Sequence, residues 1–404
     1  MIVIRLALAG ILATTAAAGS APAGSPEPGT VVRISQSGGF TDNTRAAIAE
    51  AAWLTGSEST DLDRVTIRLI RITRGVIQVQ TAPPGFGYPM LTTAADHGAS
   101  AHSPVVRRAL AAGQLAMGEI AASIRGAEVG DVAWLEGIQG QLLEVTIGAV
   151  VPDRDLAWSE IWIPQQVAGQ LGIDRLQTVL LWGGSPGRTA ALVRHLAADN
   201  TVRISYGDDR PAPLDPVLPV AVVKQRFGEF AIRPGTGDSV QVDPVWRDRW
   251  IVNVDFPLVG ATRCHRLVVP YVRGALAEIE AAGLSDLLSR DDFQLAGGCW
   301  VPRFNRGGDP GYSLSRHSWG AAIDFNPSSN RYGAEPTMPA AIIDIFRRWG
   351  FSWGGTWTVP DGMHFEWIRL PDRYAVSCSD LSLVPEDGPS GSGWTVTPRS
   401  AGCP

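Results

Sequence analysis

The sequence predicts an α+β protein in two units, a mixed α/β unit over residues 31–206 and a second over residues 217–372. Three observations predict it. Residues 65–79 (VTIRLIRITRGVIQV) alternate apolar and polar side chains, which reads as two half-buried strands. Residues 43–54 (NTRAAIAEAAWL) and 339–350 (PAAIIDIFRRWG) carry helical spacing instead. In the second of these, Ile342, Ile345, Phe346 and Trp349 share one face, Pro339 suits the start and Gly350 the end. Between the units, residues 208–219 (DDRPAPLDPVLP) are too rich in proline for either element, and we place a linker at 207–216.

The remaining elements follow in order. Residues 1–18 read as a secretory signal peptide: Arg5 is followed by the apolar run from Leu6 to Ala18, and Ala16 and Ala18 fit a small-x-small cleavage site. A Gly/Pro/Ser/Ala linker covers 19–30. Within the first unit, residues 143–151 and 160–164 read as further strands. In the second, residues 271–283 read as a helix with Val272, Leu276 and Ile279 inward and Gly283 at its end. Residues 373–404 form a tail containing Cys378 and Cys403. No internal repeat appears, and no later apolar run is long enough to span a membrane.

Composition narrows the function. The chain of 404 residues has a formal net charge of −6 and no basic block, which argues against nucleic acid as its main partner. The four cysteines, Cys264, Cys299, Cys378 and Cys403, form no CxxC pair, so a structural zinc knuckle is not expected. In an exported chain they permit disulfides, and the pairing Cys264–Cys299 with Cys378–Cys403 closes two moderate loops. His97, His102 and His195 are scattered without carboxylates at ligand spacing and are read as surface or core residues.

Two short segments carry chemistry. One is Ser315-Arg316-His317-Ser318-Trp319-Gly320-Ala321-Ala322-Ile323-Asp324, and the other Asp361-Gly362-Met363-His364-Phe365-Glu366. Each reads as a turn entering a strand. Alternation along a strand puts Ala322 and Asp324 on one face, and His364 and Glu366 on one face. If the strands are neighbours, Asp324 and His364 meet, and His317 reaches them from the preceding turn. Two imidazoles and one carboxylate leave a coordination position open, the pattern of a catalytic zinc site. Gly320 and Ala322 are small, as close packing beside a metal requires.

The first segment resembles the SxHxxGxAxD motif of the M15 peptidases, with Ser315, His317, Gly320, Ala322 and Asp324 in its places. These include VanY-type D-alanyl-D-alanine carboxypeptidases and L-alanyl-D-glutamate endolysins. The second segment resembles the family's DxxHFE motif, and Trp353-Gly354-Gly355 also resembles the family, although Thr356 follows where relatives often carry an acid. The resemblance covers residues 217–372. It implies a small antiparallel sheet flanked by helices, Zn2+ as cofactor held by His317, Asp324 and His364, and Asp361 as general base, with Glu366 as the rival. It further implies Arg303 as the group that binds a substrate carboxylate, with Ser315 assisting; Arg306 and Arg316 are weaker candidates for the carboxylate.

The expected function is therefore an exported zinc peptidase, secreted or in the cell envelope, acting on peptidoglycan stem peptides as a D-alanyl-D-alanine carboxypeptidase. An L-Ala-D-Glu endopeptidase, a D-Ala-D-Ala dipeptidase and a non-catalytic wall-binding or regulatory module are the alternatives. Residues 128–164 of the first unit resemble extracytoplasmic domains of transporter permeases, through strand rhythm and a GD…G…IGAV pattern. No partner is assigned to that unit.

Overall fold

A computed structural model describes residues 32–36, 40–95, 103–156, 159–173, 178–182, 184–197, 202–206, 217–305, 313–357 and 360–368. The expected signal peptide, both linkers, the tail with Cys378 and Cys403, and His97, His102 and Arg306 lie outside these residues. Among the described residues no helix is long and apolar enough to cross a membrane.

The first unit contains β1 (Val32–Gln36), β2 (Glu58–Arg74), β3 (Ile77–Thr81), β4 (Tyr88–Ala95), β5 (Leu115–Gly118), β6 (Val132–Glu136), β7 (Leu142–Val151), β8 (Ile161–Pro164), β9 (Thr178–Trp182) and β10 (Val202–Tyr206). The strand order is β10-β1-β9-β2-β4-β8-β5-β7-β6, with β3 paired to β2. Because β6 also pairs with β2, the six strands β2, β4, β8, β5, β7 and β6 close into a barrel. Closure leaves alternate side chains facing inward, and Leu69, Leu115, Ala133, Leu135, Ile147, Ile161 and Ile163 are fully buried there. The alternation at 65–79 thus corresponds to β2 and β3. The Ala-rich helix Asp42–Thr55 packs with the helix Pro186–Ala197 over the β10-β1-β9 end, around Ile34, Ala51 and Val193. Thr41 caps the first of these helices by accepting from the Thr44 N–H.

The second unit contains β11 (Ile232–Pro234), β12 (Val240–Val242), β13 (Ile251–Phe256), β14 (Gly260–His265), β15 (Ala322–Asp324), β16 (Phe351–Trp353) and β17 (His364–Trp367). The small sheet that matters for function is antiparallel with order β15-β17-β16. The helices Val269–Ala281 and Ala340–Arg348 pack on one another, burying Val272, Leu276, Ile279, Ile342, Ile345 and Phe346 as their spacing predicts. Cys264 and Cys299 form a buried disulfide that links β14 to the segment ahead of the first motif. The chain is therefore α+β, with a small antiparallel C-terminal sheet.

The two units share a buried contact. Gly87 of the first pairs with Ile232 of β11 as an antiparallel bridge, and Leu91 of β4 joins the apolar core of the second.

Candidate metal centre

Asp324 and His364 meet through the register of β15 and β17, which pairs Ala322 with Glu366, Ile323 with Phe365 and Asp324 with His364. Paired residues share a face, so the polar side chains lie together, while Ile323 and Phe365 are fully buried beneath. This apolar face drives the packing of the sheet on the helix Ala340–Arg348, through Phe325, Phe346 and Phe365.

His317 reaches the same point from a single 3-10 turn, Arg316–Trp319. Ser315 starts the turn, its hydroxyl accepting from the His317 N–H at 3.4 Å, and Gly320 ends it in the left-handed region at φ 64°. Only glycine fits at 320, because a Cβ would stand 2.6 Å from the backbone N of His265.

The inner atoms are three: His317 Nε2, Asp324 Oδ1 and His364 Nδ1. Asp324 Oδ1 lies 3.0 Å from each nitrogen, and the nitrogens are 3.2 Å apart. The outer nitrogens decide the tautomers. His317 Nδ1 is 3.0 Å from the Cys299 carbonyl, which can only accept, so Nδ1 carries the proton and Nε2 presents a lone pair inward. His364 Nε2 is 3.5 Å from Glu366 Oε2, again an acceptor, so Nδ1 presents its lone pair inward. Two lone pairs and a carboxylate aimed at one point repel unless a cation lies among them. The spacing is close to the ~3.3 Å edge of a tetrahedron with bonds of ~2.0–2.1 Å. His317, Asp324 and His364 could therefore hold a metal ion.

The electrostatics agree. Burial opposes ionisation of Asp324, but the imidazoles of His317 and His364 outweigh it and hold the carboxyl well below its ordinary range. Burial also opposes protonation of His364, yet its hydrogen bonds to Asp324 and Glu366 and the charges of Asp324 and Asp361 push it up to about 10. The His364 shift reports the carboxylates around it and the Asp324 shift the imidazoles beside it, so the cluster favours a positive charge among its inner atoms.

Asp361 opens the turn into β17. Its N–H donates to the Gly354 carbonyl at 2.9 Å, and its own carbonyl accepts from the His364 N–H at 3.1 Å. Gly354 is needed here as well, since a Cβ would lie 2.7 Å from the Asp361 carbonyl oxygen. Burial raises the Asp361 carboxyl above its ordinary range; the charge of Asp324 adds to this, and those of His364, His317 and Arg303 oppose it. Asp361 thus lies within electrostatic reach of His317, Asp324 and His364, and Arg303 within reach of Asp361. Asp361 Oδ1 is buried and has no hydrogen-bond partner in the protein.

Other sequence candidates fall elsewhere. Glu366 shares the sheet face with His364, but its carboxylate stands behind the imidazole, beside Nε2 and 3.8 Å from Arg316 Nε. Arg316 also donates to the Leu218 carbonyl, so its guanidinium is directed into the protein. Ser315 is 3 % exposed and its hydroxyl shapes the turn. His195 is exposed. One partner had no sequence signal: the Cys299 carbonyl that sets the His317 tautomer is a backbone group brought there by tertiary packing.

Residues 309–367, which contain both motifs, match the M15 family model described as D-alanyl-D-alanine carboxypeptidase. The C-terminal unit carries an M15-family domain. The match to the M15 domain supports peptidase activity, and the residues matched include all three inner atoms and Asp361. A comparison with curated proteins finds no match. Among solved structures, the chain is similar to the extracellular domain of a noncanonic ABC-type transporter, YknZ, from Gram-positive bacteria, at 12 % identity and a TM-score of 0.28, over 44 % of this chain and 99 % of that one.

Proposed function

We propose that the M15 domain is a zinc peptidase that hydrolyses peptidoglycan stem peptides as a D-alanyl-D-alanine carboxypeptidase. The convergence of His317 Nε2, Asp324 Oδ1 and His364 Nδ1 on one point, beside the Asp361 carboxyl, carries this reading. His317, Asp324 and His364 would hold a zinc ion, which would supply Lewis acidity and lower the pKa of a water there. Asp361 accepts the proton as water attacks the amide carbonyl and returns it to the leaving amine. Glu366 orients His364 from behind, as carboxylates commonly do for metal-bound histidines. Arg303, on the side of Asp361, takes the terminal carboxylate of the substrate through paired hydrogen bonds.

Export is part of the proposal. The Cys264–Cys299 disulfide supports an oxidising compartment, and the segment at 1–18 supports a secretory route to the envelope or beyond. The test is a metal analysis of the purified protein together with an assay on a peptide ending in D-Ala-D-Ala, beside an L-Ala-D-Glu-containing stem peptide and the free D-Ala-D-Ala dipeptide. One zinc per chain and release of single D-Ala is the expected result. Cleavage of only one of the other two substrates reassigns the bond, and absence of both zinc and cleavage leaves a binding module.

A further inference from the structure

The two units meet across buried charge. Arg125 and Glu160 belong to the first unit, Lys224 and Glu229 to the second, and all four side chains are 5 % exposed or less. Lys224 Nζ is 2.8 and 2.9 Å from the two Glu160 oxygens and 3.1 Å from Glu229 Oε1. Arg125 Nη2 is 3.0 Å from Glu160 Oε1 and also bonds Glu229. The backbone completes the set: the Leu91 N–H donates to Glu160 at 3.0 Å, and Lys224 donates to the Pro89 carbonyl. A neutral, well-bonded quartet of this kind seldom outdoes apolar packing in stability; its best-attested use is to specify one geometry.

What it specifies lies on the other side of residues 218–228. The turn that carries His317 grips this segment at three places. Arg316 donates to the Leu218 carbonyl, Trp319 Nε1 donates to the Gly228 carbonyl at 3.1 Å, and His265 joins the Phe227 carbonyl, at 3.2 Å, to the Gly320 carbonyl, at 3.1 Å. A small cavity lined by Glu160, Lys224, Leu314 and Trp319 sits where the quartet and the turn approach each other. Residues 218–228 are therefore held by the first unit on one side and by the metal turn on the other.

We propose that Glu160 and Arg125 are positioning residues for the metal centre, acting through Lys224, Glu229 and the 218–228 segment, so that the N-terminal unit sets the affinity of the site for zinc. This rests on the reading of His317, Asp324 and His364 as zinc ligands. The N-terminal unit is then part of the framework of the site, and a ligand that shifts it changes metal occupancy.

A double-mutant cycle on the full chain tests this, with zinc affinity measured by chelator competition and the visible spectrum of the Co2+ form as the second readout. Glu160→Gln removes a charge from the quartet, and Trp319→Phe keeps an aromatic side chain but loses the bond to Gly228. Each raises the zinc Kd by about tenfold, the scale of supporting-shell changes. The double variant does no worse than the weaker single one, because both act through one segment. Leu135→Ala, in the barrel core and away from the contact, lowers the melting temperature and leaves the zinc Kd unchanged. If Glu160→Gln does not fold, Arg125→Lys replaces it in the cycle. A wild-type Kd in the folded quartet variant, fold-changes that multiply, or an equal rise in Leu135→Ala would each overturn the proposal. Failure of the wild-type protein to bind zinc would instead overturn the metal reading beneath it.

Discussion

Asp324 and His364 stand directly opposite one another on adjacent antiparallel strands, with Oδ1 and Nδ1 3.0 Å apart. A cross-strand pair has little freedom to separate, because moving either residue means breaking the register of a sheet whose reverse face is fully buried. The pair is a rigid pincer, and His317 closes it from a turn that Gly320 alone can terminate.

The ligand set predicts a shared fate for metal and activity. His317→Ala, Asp324→Ala and His364→Ala should each lose zinc and peptidase activity together, read by metal analysis of the folded variants. Full zinc occupancy in His364→Ala would show that the three inner atoms are not the site.

Asp361 and Glu366 should separate by readout. Asp361→Asn is expected to retain zinc and lose about 10²–10⁴-fold in kcat, the usual share of a general base. Glu366→Gln should weaken zinc binding by about 10-fold, since its carboxylate holds the His364 ring in place. Loss of turnover with intact zinc in Glu366→Gln, and near-normal rates in Asp361→Asn, would reverse the two roles.

Arg303 should matter only where a carboxylate must be bound. Arg303→Ala is expected to impair cleavage of a free-acid D-Ala-D-Ala peptide far more than that of its C-terminal amide, because a charge left unpaired in a partly dry pocket is costly. Arg303→Lys should recover part of the loss, lysine lacking the paired donors. Equal losses on acid and amide would make the residue structural.

His265 predicts how the fold responds to acid. Burial pushes the ring down from its ordinary 6.5 to about 3, partly opposed by its hydrogen bond to the Phe227 carbonyl. The unfolded chain therefore takes up this proton near pH 6.5 and the folded chain only near 3, so stability present above 6.5 is lost as pH falls through that window. His364 of the metal-free chain acts in the opposite sense, its contribution being full below 6.5 and lost as pH rises towards about 10. Denaturant midpoints of wild type and His265→Phe between pH 7 and 4 check this. The variant should show the shallower acid slope, and parallel slopes would point to another group.

The motifs, the two helices with their inward faces, the strand alternation at 65–79 and the partnership of Cys264 with Cys299 were all legible in the chain, because each depends on local periodicity, on turn chemistry or on spacing. The separation of Asp324 from Ile323, and of His364 from Phe365, onto opposite sheet faces follows from the two-residue period of a strand, which needs no knowledge of the fold. Tertiary structure decided the rest. Which face of Glu366 meets His364, which carbonyl sets the His317 tautomer, and whether Ser315 and Arg316 turn towards substrate or inward depend on side-chain rotamers and backbone groups that distant segments bring together. The closure of six strands into a barrel and the meeting of Arg125, Glu160, Lys224 and Glu229 depend on pairings between residues up to 104 positions apart. Charged residues at such separations look like ordinary solvated surface until folding removes the water around them, and only then does each require its partner.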